Sequence, residues 1–562
     1  MTVQAKDELV PHPVKDQLPG VDYCINSNPS WAEAVILGFQ HYLVMLGTSV
    51  IIPTIIVPQM GGGNVEKAQV IQTLLFVAGV NTLLQSWFGT RLPVVIGGSF
   101  RFIIPAVFIA LSNRYNAYLD PRERFKQSMR SMQGALMIAS VIPALAGFLG
   151  VWRIVTRFLC PLSKAPLVLL VGIGLYEQGF PLLGECVEIG LPELVLLILL
   201  SQFIPHMWKL KLPIFERFAV LLSVGIVWAF AALLTVAGAY KNRPLQTQFS
   251  CRVDRSGLVS GASWIRFPYP LQWGIPNVDA GQVFMMMAAV FVSLVEPGVV
   301  DIALLKNLFL LFCQSTGGFI AAARYGSATF CPASVLSRGA GWLGLSTLIN
   351  GLWGTPSGST VSVENVGLLA LTRVGSRRVI QISAVFMLFF SVLVMANKQE
   401  NLELFLLQYL CQSLELYIVS CLPSCVFAIL CLLDEAAAAG FDLLQFCNLN
   451  SYRTKFILGF SIYMGLSVPQ YFKGYVITTG RGPVQSGSAT FDQIMQVIFT
   501  SPATVAGVTA YFLDLTLARR HPLTRKDSGR HWWAKFKYYG RDPRSEEFYS
   551  LPYGLSKYFP SV

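Results

Sequence analysis

Apolar residues run along this chain in long blocks, separated by short polar or glycine-rich stretches. The blocks fall at about 34–57, 69–88, 94–111, 132–151, 158–178, 191–206, 218–239 and 282–296. They resume at about 299–325, 333–353, 360–372, 379–396, 404–433, 455–469 and 489–516. A helical span needs about 20 apolar residues. The pattern therefore predicts an all-α polytopic membrane protein of about 14 segments, several of them too short or too glycine-rich to span alone. Two stretches depart from the helical rule: LPVVIGGSF from Leu92 and PSGSTVSVENVG from Pro356. Their glycine, serine and β-branched residues favour extended backbone. At membrane depth such backbone is tolerated only where protein buries it or it lines a cavity.

The two stretches echo one another. Gly89-Thr90 reaches Ser99 ten residues later, Gly354-Thr355 reaches Glu364 ten residues later, and each stretch precedes a short apolar helix pattern. Secondary transporters place interrupted segments in corresponding positions of two repeats and bind substrate between them. The half-helix N-termini there offer free N–H groups and a partial positive charge. The competing reading is two coincidental glycine-rich kinks.

Composition sharpens the class. Of 562 residues 54% are hydrophobic and 13% charged, against about 25% charged in soluble domains; mean hydropathy is +0.55. The net charge of +12 does not mark a nucleic-acid binder, because the basic residues sit between spans: Arg153 and Arg157, Lys209 and Lys211, Arg377 and Arg378, Arg453 and Lys455, and Arg519 to Lys526. With a cytosolic N-terminus these loops fall inside, as the positive-inside rule expects. The 112–130 loop runs against it: Arg114, Arg122, Arg124, Lys126 and Arg130 fall outside, offset only by Asp120 and Glu123. Residues 1–28 are polar and lack the basic-then-apolar pattern of a cleaved signal. The C-terminal run HWWAKFKYYGR (531–541) reads either as lying on an anionic inner leaflet or as a solvated tail.

No nucleophile–base pair, metal cluster or phosphate loop stands out, so neither an enzyme nor a cofactor is expected. The 11 cysteines include no CxxC pair and no metal-ligand spacing. Cys421 and Cys425, one helical turn apart, read as core packing.

The candidate chemistry centres on 362–373, SVENVGLLALTR. A carboxylate and an amide stand together in Glu364 and Asn365 at the start of the second half-helix. A buried intramembrane acid is a functional-site hypothesis by default; the competing reading is an ordinary acid in a helix first turn. A carboxylate accepts from N–H groups and an amide both accepts and donates, which suits the edge of a nucleobase. Gln40 and His41 lie in the first apolar block, and a packing role for His41 weighs equally with ligand contact. Ser99 and Phe100 open the first half-helix; alone, both read as packing, although Phe100 is able to stack on a planar base. Arg101 follows, and pairing with Glu364 and attraction of an anionic substrate both remain open for it.

The spacing of Glu364, Asn365, Gly367, Thr372 and Arg373 resembles the signature of the nucleobase–ascorbate transporter family, most closely its plant members. The resemblance covers about 28–296, 315–396 and 426–562. It implies fourteen segments arranged as two inverted seven-segment repeats, with core and gate domains. The implied division is a cytosolic tail at 1–28, segments 1–7 at 29–240, an extracellular loop at 241–281, segments 8–14 at 282–516, and a cytosolic tail at 517–562. It implies a proton-coupled importer of a nucleobase (xanthine, urate or uracil class) in the plasma membrane, working by alternating access. The implied substrate site is Glu296, Glu364, Asn365, Ser99 and Phe100. Glu296 would couple protons, and Gln40, His41, Gly367, Thr372 and Arg373 would support. Glutamate at 364, where ascorbate carriers usually have proline, favours a nucleobase. A homodimer in the lipid bilayer is implied, and no metal. The alternatives are a sodium-coupled ascorbate or anion carrier of the same fold, and a non-transporting splice variant.

Two departures support that last alternative. Residues 297–314, PGVVDIALLKNLFLLFCQ, intervene between Glu296 and Ser315-Thr316-Gly317, which relatives carry adjacent. Uninterrupted, 282–323 would make a helix of about 63 Å, twice the roughly 30 Å hydrocarbon core. The insert either forms an extra segment or slides Gln314 into the place of Glu296, where it would hydrogen-bond a base but carry no proton. A second block, about 397–425, replaces a short Gly/Ala-rich stretch.

Overall fold

The computed structural model describes residues 20–112, 115, 118, 120–151, 161–173, 184, 186–207, 214–244, 247–248, 251–252, 265–291, 315–329, 331–392, 440–441, 443–444, 447–479, 482–487, 489–517 and 547–558. Glu296, Gln314, the 297–314 and 397–425 departures, Cys421, Cys425 and 531–541 lie outside the described residues.

The apolar blocks become helices. The first half of the chain gives α1 (Trp31–Gln59), α2 (Asn64–Trp87), α3 (Ile103–Ala110), α4 (Pro121–Ala139), α5 (Val141–Phe148), α6 (Pro161–Ile173), α7 (Val187–Ile198) and α8 (Ala219–Val236). The second gives α9 (Ala280–Phe291), α10 (Ala333–Trp353), α11 (Val363–Thr372), α12 (Arg377–Val392), α13 (Tyr452–Thr479), α14 (Ala489–Thr500) and α15 (Pro502–Thr516). Residues 315–325 are also helical. Among the described residues α1, α2, the α4–α5 stretch Pro121–Phe148 and α8 are long and apolar enough to cross a membrane.

The basic 112–130 stretch, expected as a loop, is instead largely the first half of α4. Asp120 caps it, accepting the Arg122 N–H at 3.1 Å, with Pro121 in the first turn. Three of the charges that ran against the loop rule are bonded: Arg122 to Glu66 at 3.5 Å, Lys126 to Glu123 at 2.8 Å, and Arg130 Nε to the Ile275 carbonyl at 2.7 Å.

Both expected extended stretches form strands, and they pair with each other. β1 (Ile96–Gly98) and β2 (Ser359–Val361) are antiparallel, with Ile96 opposite Val361, Gly97 opposite Thr360 and Gly98 opposite Ser359. The Ser362 N–H donates to the Val95 carbonyl at 2.9 Å, extending the ladder by one bond. α3 leaves β1 through the 3-10 turn Phe100–Phe102, and α11 follows β2 at once. α1 crosses this junction closely. A Cβ on Gly97 would stand 1.9 Å from the Met45 methyl, and one on Gly98 would stand 3.1 Å from Ile52. The strands, Ser99 and the start of α11 are buried apart from half-buried Thr360 and Val363.

Backbone also meets backbone between α5 and α10. A Cβ on Gly147 would lie 2.0 Å from the Gly341 nitrogen, and one on Gly344 would lie 2.2 Å from the Ala144 nitrogen. Small residues permit this approach where lipid supplies no hydrophobic drive between helices.

One end of the bundle gathers residues 22–25 and the C-terminal segment 547–551. Asp22 N–H donates to the Arg373 carbonyl at 3.0 Å and Gly375 N–H to the Tyr23 carbonyl at 2.8 Å. Arg217, just before α8, pairs with Asp22 at 2.9 Å and with Glu33, and lies 5.2 Å from the Tyr23 ring centre. Burial disfavours the Arg217 charge, but the bond to Asp22 and the fields of Glu33 and Asp22 outweigh it and hold the guanidinium above its ordinary value.

The C-terminal segment is fastened to the same end. Arg377 donates to the Phe548 carbonyl at 3.1 Å, Arg338 to the Tyr549 carbonyl at 3.0 Å, and Arg91 to the Ser550 carbonyl. Tyr549 donates its hydroxyl to the Thr329 carbonyl at 2.6 Å, and Phe548, Tyr549 and Leu551 are buried. Cys186, before α7, forms a disulfide with Cys251, a pairing across 65 residues that no sequence spacing announced. The neighbouring Glu188 therefore does not share two thiolates with a metal ion.

Burying a large apolar side chain contributes about 1.5–3 kcal/mol, so the docked tail is a measurable part of the stability. Truncation before Glu547 is expected to lower the melting temperature of the detergent-solubilised protein, and Tyr549→Phe to lower it less. Superimposable melting curves would refute the docking.

Candidate functional site

The crossing of β1 and β2 brings predicted site residues from two distant parts of the sequence together. Ser362 is the N-cap of α11 and accepts the Asn365 N–H at 3.4 Å. Its hydroxyl donates to Glu364 Oε2 at 2.7 Å and accepts from Asn365 Nδ2 at 3.0 Å. Asn365 Oδ1 lies 2.8 Å from His41 Nδ1. An amide oxygen only accepts, so His41 Nδ1 is the donor. The four side chains form one directed chain of donors, from His41 through Asn365 and Ser362 to the Glu364 carboxylate. A neutral imidazole in this tautomer keeps Nε2 as an acceptor.

The carboxylate is also reached by the backbone N–H groups of Val363 and Glu364. The acid stands in the first turn of α11 and also ends a buried polar chain. Its relative exposure is 6%, and those of His41 and Asn365 are 1%. Gln40, one residue before His41, is fully buried, and neither its amide oxygen nor its amide nitrogen has a hydrogen-bond partner among the described residues. Leaving such a group unpaired costs about 1–3 kcal/mol, so a site occupant that bonds it is favoured.

Ser99 lies at the other end of the ladder. Its N–H donates to Ser357 Oγ at 2.9 Å, and Ser357 Oγ lies 3.2 Å from the Ser99 carbonyl. Phe100 is half-buried and packs against the apolar cluster that holds Ile52, Leu74 and Phe102. Arg101 belongs to the same 3-10 turn; its side chain lies outside what the structure describes. The remaining signature residues build α11. Gly367 is buried within it, Thr372 donates its hydroxyl to the Leu368 carbonyl at 2.7 Å, and Arg373 ends the helix in the left-handed region at φ 55°.

Sequence reasoning missed Ser362, although a serine two residues before an acid at a helix start is a capping signal. It also missed two threonines. The Ile96 N–H donates to Thr82 Oγ1 at 2.9 Å, and the Ser359 N–H to Thr347 Oγ1 at 3.3 Å. Thr82 stands seven residues before Gly89, and Thr347 seven before Gly354. The echo seen in the glycines extends backward into the helices that brace the strands.

Residues 32–474 match the model of a permease family (Xan_ur_permease). The chain is 55% identical over 557 residues to "Nucleobase-ascorbate transporter 4" of Arabidopsis thaliana, covering 99% of each chain. It is 52% identical over 562 residues to "Nucleobase-ascorbate transporter LPE1" of Zea mays, covering 100% of this chain and 99% of that one. Among solved structures it is similar to the transmembrane domain of the cyanobacterial bicarbonate transporter BicA, with a TM-score of 0.34 and 14% identity over 76% of this chain and 93% of that one. It is also similar to the overall structure of SLC26A9, with a TM-score of 0.42 and 12% identity over 86% of this chain and 64% of that one. The alignments to the plant proteins span nearly the whole chain at more than half identity, and on that ground the chain belongs to the nucleobase–ascorbate transporters, a family of multi-pass membrane permeases and not of enzymes.

Proposed function

We propose that this transporter imports a nucleobase of the xanthine, urate or uracil class, coupled to protons, by alternating access. The observation that carries the reading is the donor chain ending on Glu364. It fixes a carboxylate beside the crossed strands as an acceptor for ring N–H groups, with His41 Nε2 as a second acceptor. The unpaired Gln40 amide adds both a donor and an acceptor. Ascorbate carries no ring N–H for the Glu364 carboxylate to accept. In this reading Glu364, Asn365, Ser99 and Phe100 line the pocket, Gln40, His41, Gly367, Thr372 and Arg373 support it, and Glu296 carries the coupled proton.

The proposed architecture is two inverted seven-segment repeats, at 29–240 and 282–516, forming core and gate domains, with homodimers in the plasma membrane. The disulfide supports the orientation. Arg217 joins the end that holds both termini, and α8 runs about 27 Å away from it toward Cys251. Disulfides persist in oxidising compartments, so that far end faces outside and the termini face the cytosol.

Radiolabelled xanthine uptake competed with uracil, urate and ascorbate tests the substrate class, and collapse of the proton gradient tests the coupling. Uracil or urate is expected to compete and ascorbate not to. Glu364→Gln is expected to reduce uptake at least tenfold, about 1.4 kcal/mol, with surface protein unchanged. Ascorbate as the sole competitor, or full uptake by Glu364→Gln, would sink the reading.

Helical residues 315–325 resume directly at the crossing, where a Cβ on Gly318 would lie 2.8 Å from Val361. Removal of residues 297–314 is therefore expected to raise uptake, because it returns Glu296 to the residue before Ser315. Equal or higher uptake by the full chain would overturn that expectation.

A further inference from the structure

The two halves of the crossing are braced alike in one respect and differently in another. Thr82 and Thr347 occupy equal positions in the echo, and each caps one strand N–H. A second set of bonds has no such counterpart among the described residues. Asn81 Nδ2 donates to Asn350 Oδ1 at 3.1 Å and to Ser359 Oγ at 2.9 Å. Ser359 Oγ donates to Asn350 Oδ1 at 3.0 Å, and Asn350 Nδ2 donates to the Ser357 carbonyl at 2.7 Å. Ser357 Oγ then takes the Ser99 N–H. All five residues are buried.

Counted from Gly89 and Gly354, the position of Ser357 in the second half is held by Leu92 in the first, which is fully buried and apolar. The position of Asn350 is held by Gln85, which turns instead to Thr90 Oγ1 at 3.4 Å. A network needed only to hold two pseudo-equivalent strands would appear on both sides. This one runs in a single direction, from α2 through α10 to the backbone of Ser99.

We propose that Asn81 and Asn350 are positioning residues that set where the Ser99 end of the substrate pocket stands relative to Glu364, without touching substrate. The inference rests on the transport reading above. A nucleobase has different groups on its two edges, so its site needs two unlike ends, and the one-sided network supplies the difference. An interior at membrane depth has no water to replace a lost amide bond, so the strand end shifts when the network is cut.

Asn350→Asp isolates the link. It keeps an oxygen to accept from Asn81 and Ser359 but loses the donor to Ser357. Ser357→Ala removes the hydroxyl that accepts the Ser99 N–H and lies within reach of the Ser99 and Gly358 carbonyls, and it serves if Asn350→Asp fails to reach the surface. Xanthine uptake kinetics and inhibition by uracil and urate are measured in both, alongside surface protein and melting temperature. The expected result is a KM raised about tenfold and an altered order of inhibitors, at wild-type surface level. Unchanged KM and inhibitor order, or a loss confined to surface protein and melting temperature, would overturn the positioning role alone. A wild-type chain that neither transports nor binds any of these bases would overturn the transport reading, and this inference with it.

Discussion

Every peptide group in the β1–β2 crossing has to find a partner inside the protein, and the rest of the structure follows from that constraint. A helix satisfies its own backbone; a three-residue strand does not, and at membrane depth water is not available to help. The ladder between Ile96–Gly98 and Ser359–Val361 is too short to be stable alone. Its outward-facing N–H groups are taken by Thr82, Thr347 and Ser357, hydroxyls contributed by the flanking helices and by the turn before β2. Polar residues inside α2 and α10 are thus the condition for leaving extended backbone in an apolar protein.

That backbone is what makes a polar site possible there. Two half-helices begin at the crossing, so unpaired N–H groups and partial positive charge are delivered to the interior. At α11 the protein uses them to hold a carboxylate: Ser362, Val363 and the Glu364 N–H all face it. The donor chain from His41 then ties α1 to the same point. Position and hydrogen-bond direction at Glu364 are fixed together, and His41 ties α1 to the site.

The parts of this arrangement legible in the sequence are those with a local signature. Helix extents follow from apolar runs: 34–57 became Trp31–Gln59, and 333–353 became Ala333–Trp353. The extended stretches follow from glycine, serine and β-branched content, and the Glu364–Asn365 pair from its charge in an apolar setting. The 121–130 part of α4 reads as loop in the sequence because its first turns are charged, and charge near a span end speaks equally for a loop or for a capped helix start. What stayed hidden depends on partners far away in sequence. Asn81 is 269 residues from Asn350, Thr82 carries no sign of capping a strand, and Cys186 gives no hint of Cys251. A lone asparagine or threonine within an apolar helix announces a polar contact but not its address.

The same reasoning separates two kinds of residue in the α11 signature. Asn365 meets His41 of α1, and Glu364 joins that chain through Ser362. Thr372 bonds back to Leu368, and Arg373 turns the chain at positive φ and offers its carbonyl to the Asp22 N–H. That exit leads through Gly375 to Arg377, and the carbonyls of Arg373 and Arg91 and the backbone of Phe548 are all held there. The far end of the half-helix is therefore anchored to both termini, while its near end holds the carboxylate. A half-helix fixed at both ends moves as one body with the crossing. The bonds at its two ends brace α11 against bending.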